Sequence, residues 1–259
     1  MLDDASFKDY IILLLVFARI TGAILFNPLL GRKNIPAMAR VGLSIALTLC
    51  VFPLLDRPDT GIDTAFEFIF AALKELFAGF TIGFIMQLVM SAVFTAGESV
   101  DMQLGTGMSK IYDPSSNISM ALSGTIYNLV LTMLFFLSNG HLTLIRLIFR
   151  SCMLFPVGVG FINFDGGRQI VLIFGDILLL ALKIAMPIIA AELLAEAGLG
   201  ILMRSVSHIN IFSIGLHIRL VVGFAILVMS LPTVSRLLDN SVTYMFEKIN
   251  TGIEAMLTP

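Results

Sequence analysis

The sequence predicts an all-α, polytopic helical membrane protein. Of its 259 residues, 58% are hydrophobic and only 13% are charged. The mean hydropathy of +0.97 lies far above the range of water-soluble domains. A transmembrane helix needs about 20 apolar residues, so six or so such segments would use roughly half of the chain. These observations exclude an ordinary soluble enzyme.

The first part of the chain contains three apolar runs. Residues 10–30 form the first run, which is interrupted by Arg19, and residues 41–55 form the second. The third run, residues 66–94, is long enough for a helix of more than about 40 Å at 1.5 Å per residue. One span requires less than this, so we expect the third helix to extend beyond the hydrocarbon layer.

A stretch rich in glycine and serine follows the third run. Residues 96–119 read AGESVDMQLGTGMSKIYDPSSNIS. The glycines, the Asp113-Pro114 pair and the two adjacent serines predict a long irregular loop. A loop of this length inside a compact helical protein is typical of a functional segment.

The second part of the chain predicts one further helix and then a helical hairpin. The helix covers residues 120–137 and continues towards residue 156. The hairpin consists of residues 170–202 and 211–231, which are separated by a polar turn. Residues 232–259 mix apolar and charged side chains and predict an amphipathic surface helix.

Several charged or ionisable side chains interrupt these apolar helices. They are Arg19, Asp176, Lys183, Glu192, Glu196, His217 and Arg219. Each costs about 2.5–3.5 kcal/mol at a lipid-facing helix centre, so each needs a partner or water. Glu192 and Glu196 share one helix face, and Arg219 on the next helix is an expected partner for one of them. We favour such pairing between helices over the alternative, a proton or ion relay.

Two pairs of glycines predict close approach between helices. Gly79 and Gly83 form a GxxxG step in the long third helix, and Gly198 and Gly200 lie in the hairpin. Small residues at this spacing allow two backbones to pack closely in a membrane.

Catalytic, metal and nucleotide motifs are absent from the sequence. There is no HExxH, no phosphate-binding loop and no complete intramembrane protease motif. The two cysteines, Cys50 and Cys152, lie in apolar stretches without a CxxC spacing. With 16 basic and 18 acidic residues, the chain offers no basic surface for nucleic acid. We therefore predict a protein that is not an enzyme, needs no cofactor and binds no nucleic acid.

Four stretches of the sequence together resemble one known family. They read NPLLGRKNIPAMARVGLSIALTL near the start, TAGESVDMQLGTGMSKIYDPSSN at residues 95–117, FLSNGHLTLIR at residues 136–146 and AMPIIAAELLAEAGLGILMRSVSHINIFSIG at residues 185–215. In order and spacing they resemble the FliR/SpaR family of type III export-gate membrane proteins. The resemblance covers nearly the whole chain.

The resemblance implies a non-enzymatic subunit of the flagellar type III export gate. Such a subunit joins FliP and FliQ, with FlhB as a further neighbour, in a channel for unfolded secreted proteins. It lies in the bacterial inner membrane, in the flagellar basal body. The implied domains are a FliP-like part (1–160, including the loop 96–119), a FliQ-like hairpin (161–231) and a C-terminal helix (232–259). A virulence-type export homologue and a stand-alone secondary transporter are the alternatives.

The resemblance also implies a plug that closes the channel, carried by residues 105–119. The gate residues expected in it are Gly105, Thr106, Gly107, Met108, Ser109, Lys110, Ile111, Tyr112, Asp113 and Pro114. Glycine and methionine would make the plug deformable, and the Asp113-Pro114 pair would fix its turn.

Overall fold

The computed structural model describes residues 4–32, 34–55, 61–62, 64–105, 121–154, 157–158, 164–205 and 211–255. These residues contain no β-strand, and the predicted all-α fold is confirmed. The described residues form seven α-helices, which are α1 (Asp4–Leu25), α2 (Ala37–Val51), α3 (Ala65–Leu104), α4 (Leu122–Leu137), α5 (Gly140–Leu154), α6 (Phe164–Ser205) and α7 (Ile211–Ala255). A short 3-10 helix, Phe52–Leu54, follows α2.

The described residues contain fewer candidate membrane spans than the composition suggested. Four helical stretches are long and apolar enough to cross a membrane, and a fifth is added if α4 and α5 count as one span. The described residues contain fewer spans than the six or so expected, because α3, α6 and α7 have 40, 42 and 45 residues. A span uses about 20. The apolar residues are therefore concentrated in fewer and longer helices.

The loop predicted at residues 96–119 is wrong for residues 96–104, which are helical. Ser99 Oγ donates to the Thr95 carbonyl oxygen at 2.9 Å, so this hydroxyl is satisfied inside the helix. Gly97 faces the backbone of Gly124 and allows close packing rather than a chain reversal. The helix ends at Gly105, whose φ of +83° is readily adopted only by glycine.

The chain forms two compact units. The first comprises Met1–Val89, Asn139–Gly175 and Tyr244–Pro259, and the second comprises Met90–Ser138 and Asp176–Thr243. Both cores consist of aliphatic side chains with few exceptions. The first core includes Leu15, Val16, Ile20, Ile85, Met86 and Ile249, and the second includes Val93, Val100, Leu131, Ile184, Ile188 and Leu238.

Helix α7 continues past residue 231, where the predicted hairpin ends. Pro232, where we expected a separate amphipathic helix to begin, lies inside α7. The proline ring fixes φ at a helical value, and the long helix continues around it. The division of the chain at residues 160 and 231 into a FliP-like part, a FliQ-like hairpin and a C-terminal helix stays a prediction.

Several hydroxyl groups within the apolar helices are satisfied by the helices' own backbone. Thr48 Oγ1 donates to the Ser44 carbonyl oxygen at 2.7 Å, and Thr132 Oγ1 donates to the Asn128 carbonyl oxygen at 2.7 Å. No water is available for these groups in a hydrocarbon layer. Bonds to the carbonyl four residues earlier therefore let the helices carry hydroxyls at a low energetic cost.

Candidate functional site

The base of the predicted plug segment is a buried hydrogen-bond cluster in the second unit. The Asp101 carboxylate on α3 accepts bonds from the Ser123 backbone nitrogen, at 3.0 and 3.2 Å, and from Ser123 Oγ, at 2.6 Å. Both side chains are buried. The carboxylate also satisfies an otherwise free N–H in the first turn of α4, which is a favourable position for a negative charge.

A glycine contact reinforces this cluster. A methyl group added to Gly97 on α3 would overlap the backbone of Gly124 on α4. The end of α3 and the start of α4 therefore touch backbone to backbone. Together with the Asp101–Ser123 bonds, this contact holds the two ends of the intervening segment at a fixed separation.

The predicted gate residues mostly fall in that intervening segment. Gly105 is described and ends α3. The others, Thr106, Gly107, Met108, Ser109, Lys110, Ile111, Tyr112, Asp113 and Pro114, lie outside the described residues. Their role in gating stays a prediction.

The charges of the predicted hairpin come together as expected. Arg219 on α7 forms an ion pair with Glu196 on α6 at 3.1 Å and donates a hydrogen bond to the Gln103 carbonyl oxygen of α3. Gln103 Nε2 donates to Glu196 Oε2 at 3.3 Å. The Arg219 side chain thus links α3, α6 and α7 in the second unit.

Glu192 lies one helical turn before Glu196 but has no such partner. Its side chain is 6% exposed, and neither carboxylate oxygen has a hydrogen-bond donor. Burial of a carboxylate without a donor is costly, because water no longer solvates the charge. The predicted pairing therefore holds for Glu196 and not for Glu192.

Arg19 is fully buried in the first unit, and its partner is Glu75 on α3. The Arg19 guanidinium lies 2.5 Å from the Glu75 carboxylate and donates to the Ser151 carbonyl oxygen of α5 at 2.7 Å. The second Glu75 oxygen accepts a bond from the Gly158 backbone nitrogen at 2.9 Å. Every charge in this cluster has a complementary group, as a buried ion pair requires.

Close packing at the GxxxG step is confirmed. A methyl group on Gly79 would overlap the Arg19 carbonyl oxygen, and one on Gly83 would come within 2.8 Å of the Phe26 backbone carbon. Gly22 on α1 lies opposite, with its Cβ position 2.5 Å from the Leu76 carbonyl oxygen. The α1 and α3 backbones therefore touch across three glycines.

The second glycine pair does not make the expected close approach. A methyl group on Gly198 or Gly200 would meet no atom within 4 Å in the described chain. Among the described residues no backbone packs against this part of α6, so the structure does not show the tight packing predicted there. Asp176, Lys183 and His217 are likewise at exposed positions.

Sequence reasoning missed three side chains that organise these clusters. Glu75 lies within the third apolar run, Asp101 lies in the predicted loop 96–119, and Ser123 lies in the predicted helix 120–137, and the sequence singles out none of them as a pairing residue. A signal for Glu75 was present, since a carboxylate in an apolar helix needs a cation and Arg19 was available. Among the described residues, no group of three His, Cys, Asp or Glu side chains could hold a metal ion.

Comparison with known proteins assigns the family. A family model described as "Bacterial export proteins, family 1" matches residues 10–245. The flagellar biosynthetic protein FliR of Bacillus subtilis (strain 168) is 30% identical over 226 residues, which cover 85% of this chain and 86% of that protein. The protein of the same name from Escherichia coli (strain K12) is 29% identical, with coverages of 88% and 87%.

A relative from a different system is similar over the same length. The Yop proteins translocation protein T of Yersinia pestis is 26% identical over 237 residues, which cover 88% of each chain. The family match includes every helix described above in whole or in large part. This chain therefore belongs to the bacterial export proteins, family 1.

Proposed function

We propose that this chain is a non-enzymatic subunit of the flagellar type III protein export gate. With FliP and FliQ it forms the channel through which unfolded flagellar proteins are secreted, and an FlhB-type protein is a further neighbour. The gate lies in the bacterial inner membrane, in the flagellar basal body. The observation that carries the proposal is similarity along about 85% of the chain to proteins named for flagellar biosynthesis.

Apolar surface left uncovered on the second unit supports a role in a larger assembly. Leu194 on α6 is 76% exposed and Met229 on α7 is 81% exposed, and neighbouring apolar side chains on both helices are also exposed. Exposed apolar side chains in this number need lipid or another protein to cover them. A subunit packed among other helical subunits meets that need.

The plug is part of the same proposal. Residues 105–119 close the channel at rest, and the Asp101–Ser123 cluster holds the base of this segment. A fixed base with a deformable segment between its ends allows the seal to open without separating α3 from α4. No motif in the chain supplies energy, so the movement of substrates depends on other components.

The first test is the composition of the native complex. The affinity-tagged chain is extracted gently from membranes of its own source, and the mass of the assembly is measured. We expect a large complex that contains several copies of other small helical membrane proteins. We also expect that a strain from which the gene for this chain is deleted has no flagella. A monomer or homodimer that transports a solute after reconstitution would overturn the proposal in favour of a secondary transporter.

The second test addresses the plug. Deletion of residues 105–119 should make membranes that contain the assembled complex leaky to small ions. A variant with an equal-length glycine and serine replacement keeps the spacing of α3 and α4, and it separates loss of the plug from strain at its base. An equal-length glycine and serine replacement of residues 56–60 serves as the control, and membranes that contain this variant should not leak ions. Unchanged ion permeability in an assembled plug-deleted complex would contradict the plug.

A further inference from the structure

A cavity of about 240 Å³ lies between α4 and α7 in the second unit. Tyr127 and Val130 of α4 line one side of it, and α7 lines the other side with Leu231, Val234 and Leu238. Val234 and Leu238 are buried, whereas Leu231 is 38% exposed. The cavity therefore reaches from the core of the second unit to the surface of the chain.

The lining residues present apolar surface to this cavity. Of the two that carry a hydroxyl, Ser235 donates from Oγ to the Pro232 carbonyl oxygen at 3.0 Å. The Tyr127 hydroxyl oxygen is shielded from solvent, so the aromatic ring of this residue borders the open space. An ordered water needs two to four polar partners, and these walls do not supply them. The cavity therefore suits an apolar occupant.

The size of the cavity separates two kinds of apolar occupant. A cavity of about 150 Å³ is already enough for a benzene ring. This one is more than one and a half times as large, so a single aromatic or aliphatic side chain from a neighbouring helix would leave part of it empty. A flexible chain of methylene groups can fill the whole space, and each group gains free energy on burial.

The position of the cavity along α7 indicates where such a chain comes from. Residues 220–235 of α7 carry no charge and cover about 24 Å, close to the thickness of a hydrocarbon layer. The first charge beyond them is Arg236, one helical turn after the lining residue Pro232. Helical side chains lean over the preceding turn, so we expect the Arg236 side chain to lie beside the cavity. A phospholipid places its phosphate at this level and its acyl chains on the apolar side.

We propose that the cavity between α4 and α7 binds one acyl chain of a membrane phospholipid, whose phosphate lies within reach of Arg236. The acyl chain enters beside Leu231 and lies between Val130 of α4 and the buried Val234 of α7. Asp239, three residues after Arg236, balances the charge of the arginine, so the headgroup that suits the site is zwitterionic. Any membrane-embedded form of the chain meets phospholipid, so this site does not depend on the proposed function.

Thermal unfolding of the full-length chain, delipidated and held in amphipol, tests the site. Phosphatidylethanolamine is the probe, because its headgroup carries both a phosphate and an ammonium. At about 100 times its dissociation constant it should raise the unfolding temperature of the wild-type chain by about 5–10 °C, since it binds the folded chain alone. An unfolding temperature that does not respond to the lipid overturns the proposal.

A variant with a filled cavity shows whether the lipid acts there. Val130→Phe combined with Ser235→Phe places two rings in the cavity, and the unfolding temperature of this variant should no longer respond to the lipid. The matched control combines Leu193→Phe with Leu194→Phe, two exposed positions on α6 that do not line the cavity. The control should respond like the wild-type chain. An equal response of both variants would show that lipid acts on the outer surface, and the proposal would be wrong.

A fluorescence measurement decides the question if the filled variant does not fold. The sequence contains no tryptophan, so Leu231→Trp places a single indole at the rim of the cavity. Phosphatidylethanolamine with brominated acyl chains should quench it and reach saturation at equimolar lipid, whereas quenching of Leu194→Trp should not saturate. Saturation at both positions or at neither overturns the site.

The phosphate contact has its own test in the same measurement. Arg236→Gln, added to Leu231→Trp, leaves the cavity walls unchanged and should raise the lipid concentration for half-quenching about fivefold. An unchanged concentration means that no phosphate is bound beside the cavity, and it overturns a phospholipid as the occupant.

Discussion

Two buried carboxylates on long apolar helices, Glu75 and Glu192, have opposite environments. Glu75 in the first unit has an arginine against one oxygen and a backbone N–H against the other. Glu192 in the second unit has no donor at either oxygen. Both are almost fully withdrawn from solvent. At similar burial, both carboxylate oxygens of Glu75 therefore have a partner, and neither oxygen of Glu192 has a hydrogen-bond donor among the described residues.

The difference separates a carboxylate that is paired within the chain from one that has no hydrogen-bond donor among the described residues. An ion pair that is fully hydrogen-bonded within one chain fixes the helices that carry it, and removal of one member leaves the other uncompensated. A buried carboxylate without a donor destabilises the chain as long as it stays charged. Substitution of Glu75 should therefore lower the free energy of unfolding strongly, whereas substitution of Glu192 should not lower it in the isolated chain.

The largest effect is expected from Glu75→Gln. The substitution leaves the fully buried Arg19 without its counter-charge and should lower the free energy of unfolding by about 3–5 kcal/mol. Unfolding of the purified full-length chain in mixed detergent micelles measures it. Glu192→Gln is the comparison, since it makes the same change at similar burial. Equal losses for the two variants would show that pairing within the chain does not distinguish Glu75 from Glu192.

A somewhat smaller loss is expected from Gly79→Ala. The added methyl group overlaps the Arg19 carbonyl oxygen, which is backbone and cannot rotate away, so α1 and α3 must separate. We expect a loss of about 3 kcal/mol, the upper range for overpacking, and weakening of the Arg19–Glu75 pair. Gly198→Ala is the matched control because its Cβ position is open. It should gain up to about 1 kcal/mol from helix propensity.

Asp101→Ala tests a third buried carboxylate, one that accepts hydrogen bonds from a backbone N–H and from a hydroxyl. The substitution leaves the Ser123 backbone N–H without an acceptor and should cost about 2 kcal/mol. In the assembled complex it should also raise ion permeability, since the base of the plug segment loosens. Patch-clamp or dye-flux measurements on membrane vesicles report the leak, and Ser123→Ala, which keeps the backbone bonds, should leak less.

The smallest effect is expected at the surface of the first unit. Arg150 and Glu254 form an ion pair at 3.8 Å, with both side chains about half exposed. Solvent and salt screen this pair, so Glu254→Gln should change the free energy of unfolding by less than about 0.5 kcal/mol. A loss comparable with that of Glu75→Gln would show that burial does not govern these pairs.

The sequence was sufficient for the fold class and for part of the charge pairing. Hydropathy fixes the helices, and Arg219 could be matched to a glutamate because the two lie on consecutive helices. The sequence indicates that Arg19 and Glu75 each need a partner, but it does not select this pair, because the two residues are 56 positions apart and their contact depends on how α1 packs on α3. The end of α3 was also missed, because Gly97 and Asp101 resemble loop residues until Gly124 and Ser123 are placed beside them.

The fixed base at Asp101 and Ser123 sets the reach of the segment that it holds. Fifteen residues, 106–120, separate Gly105 from Ala121. An extended chain covers at most about 3.5 Å per residue, and a chain that must return to its starting point projects half of its length. The tip can therefore travel no more than about 25 Å from the cluster. Any opening that this segment seals must lie within that radius, and each residue removed shortens the radius by about 1.7 Å.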